Sequence, residues 1–295
     1  MRAVLLTGGS GQVGSALRRL AGDDVELVAP TRAELDLNDP EALAGVVASR
    51  AWSAVINAGA YTAVDRAEGD VVAAWQVNAM APAALAAATA SAGIPIIHVS
   101  TDYVFDGGKA EPYVEEDPVA PLGVYGASKE AGEQAVRTAN PRHLILRTAW
   151  VVSANGANFV KTMLRLGAER PALRVVADQH GCPTSAEDIA RTILTMLDRA
   201  TTGDGPTGTY HFVNAGEATW HGLAEAVFAR AAIHGRPAPE VTPIATADYP
   251  TPARRPVNSR LSTARLTRDF GSAPRPWREA IDAVVDELLK EHRAA

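Results

Sequence analysis

Val4-Leu5-Leu6-Thr7-Gly8-Gly9-Ser10-Gly11-Gln12-Val13-Gly14 is the stretch that decides the fold. A short apolar run reads as a first strand. It passes directly into Gly8-x-x-Gly11-x-x-Gly14 and then into a helical pattern over Gln12 to Leu20. Glycines at a strand-to-helix junction permit a tight turn. They also let backbone approach a pyrophosphate at the positive end of the helix. The spacing departs from G-x-G-x-x-G, with Gly9 crowding the loop further. Gly8, Gly11 and Gly14 are therefore expected to bind a dinucleotide.

Working outward, apolar runs and helical patterns alternate. Val25 to Ala29 reads as a strand. Asp39-Pro40-Glu41 starts a helix, with Asp39 as N-cap and Pro40 at the first helical position. Strands are expected at Ala54–Asn57, Ile94–Val99 and Leu144–Arg147, and helices over the alanine-rich 79–92 and from Tyr125. The all-apolar Ile94–Val99 suits a strand covered on both faces. This rhythm predicts an α/β fold with a doubly wound parallel sheet of the Rossmann type. After Trp150 the rhythm loosens. Helices are expected over 158–168, 186–199, 220–232 and 278–292, with extended segments at Leu173–Val176 and Tyr210–Val213. Thr201 to Thr207 reads as a turn-rich connection, and Pro237 to Pro256, with six prolines, as an irregular loop. The expected division is a dinucleotide-binding domain over 1–150 and a smaller, mixed α/β substrate-binding region over 151–295. A segment near 186–215 is expected to return to the first domain. The cleft between the two parts, at the carboxyl ends of the strands, is the expected site.

Composition excludes several classes. Hydrophobic residues make up 47% of 295, enough for a large core, and charged residues 21% with a net charge of −6. Neither disorder nor nucleic-acid coating fits that balance. The single cysteine, Cys182, forms no intrachain disulfide or CxxC site, so a reduced, cytoplasmic setting is expected. No signal peptide is evident, and no apolar stretch is read as reaching the ~18 residues of a membrane span. The seven histidines form no HxxH pair, so no metal site is identified.

The chemistry lies in Ser100-Thr101-Asp102 and Tyr125-Gly126-Ala127-Ser128-Lys129. Tyrosine and lysine four apart share a helix face. An ammonium beside a phenol favours the phenolate, lowering a pKa that is ordinarily about 10. Such a tyrosine is a usable acid for reducing a ketone, with a hydroxyl at Ser100 or Thr101 to hold the carbonyl oxygen. The second strand ends Ala29-Pro30-Thr31-Arg32 with no acid for a ribose 2′-hydroxyl. Thr31 and Arg32 instead suit a 2′-phosphate, which favours NADPH over NADH. Asn57-Ala58-Gly59-Ala60-Tyr61-Thr62 leaves a strand with small residues that let a cofactor lie close. Asn78 reads as a helix-capping or backbone-bridging amide. Asp65, Glu68 and Asp70 read as a solvated acidic face.

Together these runs resemble the extended short-chain dehydrogenase/reductases, in the branch that reduces dTDP-4-keto sugars. The resemblance spans nearly the whole chain. Its specific marks are Ser100-Thr101-Asp102-Tyr103-Val104-Phe105-Asp106-Gly107 and Tyr249-Pro250-Thr251-Pro252-Ala253-Arg254-Arg255-Pro256-Val257-Asn258-Ser259. It implies NAD(P)H-dependent reduction of the C4 ketone of dTDP-4-dehydro-β-L-rhamnose. It implies a catalytic set of Thr101, Tyr125 and Lys129, the last also binding the nicotinamide ribose. Gly11, Gln12 and Val13 would meet the pyrophosphate, and Asp36 and Leu37 the adenine. Ala60, Tyr61 and Thr62 would line the cofactor. Asp102 and Trp150 would touch the sugar nucleotide, and Arg255 its diphosphate. Some members carry a first-helix Glu linked to magnesium at a dimer interface. Ala16 stands there, so a metal-bridged dimer is not expected, whereas a homodimer is compatible. No nucleic-acid or membrane partner is implied. The alternatives are a reductase of another dTDP-4-keto-6-deoxysugar, a nucleotide-sugar epimerase, which the segment from Ser100 to Phe105 fits less well, and a non-catalytic NADP-binding regulatory subunit.

Overall fold

The computed structural model describes residues 1–203 and 205–294. Asp204, inside the expected 201–207 connection, and Ala295 lie outside the described residues. The first half runs β1 (Arg2–Thr7), α1 (Gln12–Leu20), β2 (Val25–Val28), α2 (Pro40–Ala48), β3 (Ala54–Asn57), α3 (Val64–Ala67) and α4 (Val71–Trp75). A π-helical turn over Gln76–Met80 leads into α5 (Ala81–Ser91), followed by β4 (Ile96–Thr101), α6 (Val124–Ala139) and β5 (His143–Thr148). Asp39 caps α2 as expected, its carboxylate accepting from Ala42 N at 3.0 Å with Pro40 in the first turn.

The second half contains β6 (Val151–Val152), α7 (Phe159–Glu169), β7 (Ala172–Val176), β8 (His180–Gly181), β9 (Thr184–Ser185) and α8 (Ala186–Thr201). Then come β10 (Gly208–His211), β11 (Ala218–Thr219), α9 (Trp220–Ile233), β12 (Glu240–Ile244), α10 (Ala264–Phe270) and α11 (Trp277–Ala294).

Six parallel strands form the central sheet in the order β10-β5-β4-β3-β1-β2. The chain reverses direction across the sheet between β1 and β3, the switch point at which such folds bind ligands. Strand alternation explains the two apolar faces. Val4, Leu6, Ile56, Ile97 and Leu146 pack with Leu17 of α1 and Ile189, Ile193 and Met196 of α8. Leu5, Val55, Ile96 and Ile145 pack on the other side with Leu43 and Val47 of α2, Leu85 of α5 and Val136 of α6. Fully burying each such side chain contributes about 1.5–3 kcal/mol. A second core joins α7, α9 and α11 to β7 through Val160, Leu173, Val227, Phe228 and Ile281.

Two expectations change. The proline-rich stretch after Pro237 is not all irregular: β12 pairs in parallel with β7. Pro243 is tolerated because the sheet has two strands, so its missing donor faces no neighbour. The alanine-rich helix starts earlier, and Val71–Ser91 is a 21-residue helical stretch long and apolar enough to cross a membrane, with mean hydropathy 1.4. Its α5 portion packs against α2 and α6. Ala16 of α1 is buried in the core cluster that includes residues of α8.

Candidate active site

The glycine loop is shaped by two close approaches. Gly8 adopts φ +74°, and a Cβ there would lie 2.5 Å from Gly59 N. Only glycine meets both demands. A Cβ on Gly14 would lie 2.1 Å from Gly8 O. Gly14 therefore packs α1 beneath the loop and does not border the cleft, which corrects its expected cofactor contact. No side chain caps α1, leaving the amides of its first turn for an anion. The Gln12 side chain turns across the cleft mouth. Its Oε1 accepts from Ser153 Oγ at 2.9 Å and Asn158 Nδ2 at 3.0 Å, joining α1 to the second half.

A cleft of about 950 Å³ opens along the carboxyl ends of the strands. At one end it is bordered by Gly8, Gly11, Gln12 and Val13, and beside β2 by Arg32, Asp36 and Leu37. Ala60, Tyr61 and Thr62 also border it. Thr101, Asp102, Tyr125, Lys129 and Trp150 gather at the other end. Arg32 is exposed at the rim, whereas Thr31 does not border the cleft, its amide donating to Glu34 Oε2 at 2.7 Å.

Asn78, in the π-helical turn, bridges backbone as expected. Its Oδ1 accepts from Tyr61 N at 2.8 Å, and its Nδ2 donates to Tyr61 O at 3.1 Å and to Ser128 Oγ at 3.0 Å. One amide thus joins a residue of the cleft lining to the helix that carries Tyr125 and Lys129. Tyr125 meets the Tyr103 ring edge-on at 5.4 Å. Burial pushes its phenol up to about 12, Thr101 opposing and Asp102 adding to the rise. The expected lowering by Lys129 is overturned, because loss of hydration dominates at this depth. Lys129 is buried too, which brings its ammonium down to about 8 against the pull of Glu133. Lys129 Nζ donates to Val99 O at 2.7 Å and lies 3.4 Å from His98 Nε2.

Burial raises the Asp102 carboxyl to about 6, with Ser259 and Thr101 opposing the rise. Its Oδ1 accepts from Thr101 Oγ1 at 3.1 Å. Asp102 Oδ2, Ser100 Oγ and Thr148 Oγ1 are buried without a hydrogen-bond partner, and all three residues border the cleft. Orphaned polar atoms of this kind call for a polar ligand. They and the cradle left by Gly8 fit a dinucleotide lying beside an oxygen-rich substrate.

Trp150 takes φ 49°, the one positive φ at a non-glycine residue among those described. Its ring stacks on Trp220 at 3.6 Å, and a Cβ on Gly181 would lie 2.3 Å from it. Trp220 was not singled out from sequence, since nothing local links the two rings. Arg255 does not border the cleft. Its guanidinium pairs with Asp65 at 2.7 Å. The acidic face is corrected. Beyond Asp65, Glu68 accepts from Val124 N at 2.8 Å at the start of α6, and Asp70 accepts from Tyr61 Oη at 3.0 Å. Cys182 is buried and its thiol pushed up to about 11. Among the described residues no group of three His, Cys, Asp or Glu is placed to hold a metal.

Residues 1–290 match the family model described as RmlD substrate binding domain. A dTDP-4-dehydrorhamnose reductase of Sinorhizobium fredii is 45% identical over 98% of this chain and 99% of its own. A probable dTDP-4,6-dihydroxy-2-methyloxan-3-one 4-ketoreductase of Streptomyces antibioticus is 42% identical over 98% and 96%. The crystal structure of a dTDP-4-dehydrorhamnose reductase from Bacillus anthracis in complex with NADP superposes with a TM-score of 0.91, at 33% identity, over 97% of this chain and 100% of that one. With a family model covering nearly its whole length and relatives of this similarity, the chain belongs to the RmlD substrate-binding-domain family.

Proposed function

We propose that this protein reduces the C4 ketone of dTDP-4-dehydro-β-L-rhamnose to the alcohol of dTDP-β-L-rhamnose, with NADPH as reductant. The observation that carries the reading is one cleft with a glycine cradle at one end and Thr101, Tyr125, Lys129 and three orphaned polar atoms at the other. The relatives' names supply the substrate, and the NADP-bound neighbour together with Arg32 at the rim supports NADPH.

When bound, the reduced nicotinamide supplies a hydride. The residues do the rest. Thr101 turns its one hydroxyl hydrogen from Asp102 Oδ1 to the carbonyl oxygen as charge develops there. Tyr125 gives its phenolic proton to the forming alkoxide, so C4 gains one hydrogen and its oxygen the other. A phenol held near 12 is protonated across the working pH range, the state a reductive general acid requires. Lys129 then steadies the phenolate left behind. Trp150 and Asp102 shape the sugar pocket, residues 151–295 supply most of the substrate side, and α8 and β10 complete the dinucleotide domain. A cytoplasmic setting fits the single, buried thiol.

The test is NADPH oxidation with dTDP-4-dehydro-β-L-rhamnose, with the product sugar identified. dTDP-β-L-rhamnose formed well above the enzyme-free rate supports the proposal. A second reading, reduction of a different dTDP-4-keto sugar, draws on the Streptomyces relative, and would be favoured by turnover of another 4-keto sugar alone. Protein that binds NADPH but turns over no nucleotide sugar would point to a regulatory role.

A further inference from the structure

A polar row crosses the sheet behind the cleft. Thr7 on β1 is the register partner of Asn57 on β3, and Asn57 that of His98 on β4. Strand alternation sends all three toward the α6 side, the face of Leu5, Val55 and Ile96. Each is almost wholly buried, and His98 is fully so. The Asn57 amide meets Thr7 Oγ1 at 2.6 Å through Oδ1 and His98 Nδ1 at 3.0 Å through Nδ2. On its other side His98 Nε2 lies 3.4 Å from Lys129 Nζ.

Proton counting decides what this row does. A charged Lys129 has three N–H donors and no acceptor. Val99 O takes one donor at 2.7 Å, and the only other partner facing the ammonium among its described hydrogen bonds is His98 Nε2. If Nε2 carried the imidazole proton, two donors would face each other inside the core. If His98 were imidazolium, two cations would meet there. Only an imidazole with Nε2 bare and Nδ1 protonated makes the contact favourable. Nδ1–H then needs an acceptor. The two senses of an amide differ only in which atom is nitrogen, and turning that of Asn57 offers Oδ1 to His98 and an N–H to Thr7 Oγ1. Every contact in the row then runs from donor to acceptor, and the third hydrogen of Lys129 is left for the cleft.

From this geometry we infer that His98 is the positioning residue for Lys129: a neutral imidazole, protonated on Nδ1, that accepts from the lysine ammonium through Nε2. Its tautomer is set by Asn57 and Thr7. Thr7 immediately precedes Gly8, and Asn57 leads into Gly59, so the row also links the dinucleotide loops to the reacting end. The assignment of Lys129 to catalysis rests on the proposed reductase reading, whereas the tautomer does not.

The test is ¹⁵N NMR of the full-length protein labelled at histidine, with the His98 signals assigned from their absence in His98→Gln. The expected result at neutral pH is a protonated Nδ1 and a bare Nε2. A ring protonated on Nε2, or on both nitrogens, overturns the inference. In parallel, turnover is compared for His98→Leu and His98→Gln. Leucine removes the acceptor and should lower kcat about 10-fold or more with little change in sugar KM, while the glutamine carbonyl should restore part of the loss. Equal kcat in wild type and His98→Leu overturns the positioning role even with the expected tautomer. A wild type without turnover on the sugar nucleotide would contradict the reductase reading and leave the tautomer result standing.

Discussion

At the scale of single residues, Tyr125 and Asp102 are controlled by the same force with opposite uses. Burial raises the phenol, which favours its protonated form, and it lifts a carboxyl that has one unpaired oxygen. Tyr125→Phe keeps the ring and removes the proton. We expect kcat to fall about 10²- to 10⁴-fold, with NADPH affinity by titration unchanged within about twofold. Retained turnover would end the acid assignment. For Asp102 the sign follows from linkage. Its folded carboxyl titrates near 6, above its ordinary 3.8, so the folded state holds the proton longer than the unfolded chain. Its contribution to stability is therefore present at low pH and is lost as pH rises from about 4 through 6. Asp102→Asn should gain stability relative to wild type across that window in denaturant titrations, and a difference independent of pH would refute the shift.

At the scale of elements, α6 is fixed to the sheet by charge as well as by apolar packing. Glu133, fully buried one turn beyond Lys129, meets Arg147 of β5 at 2.7 Å, and Arg137 approaches the same carboxylate at 2.9 Å. Glu133→Leu leaves Arg147 buried without its anion. A loss of about 3–5 kcal/mol in chemical denaturation is expected, whereas under 1 kcal/mol would mean that the arginine finds another partner. Elements such as α1, α2 and α8 are legible in sequence because the signals are local: glycines after a strand, Asp39 before Pro40, apolar residues at helical spacing. What stays hidden depends on register and distance. Thr7, Asn57 and His98 are separated by about fifty and forty positions, and only strand pairing aligns them. Trp150, at φ 49°, stacks on a ring seventy positions away. The pairing of Arg255 with Asp65 has no local signal, because the two lie far apart along the chain.

At the scale of the whole molecule, the chain returns to its first half after leaving it. β10 pairs with β5 at the sheet edge, and α8 covers the face that α1 begins. Gln12, Trp150 and the turn after β4 thereby border one cleft, so the glycine loop and the end that holds Tyr125 and Lys129 are held by a single sheet. The residues that border the cleft were largely readable from motif position, while its depth, and with it the raised Tyr125 and lowered Lys129, came only from packing. The central claim is a hydride transfer to C4 inside that cleft. The most direct measurement follows the label from NADPH dideuterated at the nicotinamide C4 into dTDP-4-dehydro-β-L-rhamnose. One deuterium at C4 of the product dTDP-β-L-rhamnose, formed by wild type and suppressed in Tyr125→Phe, is the predicted result. Product without deuterium at C4, or no labelled sugar from protein that binds NADPH, would contradict the account.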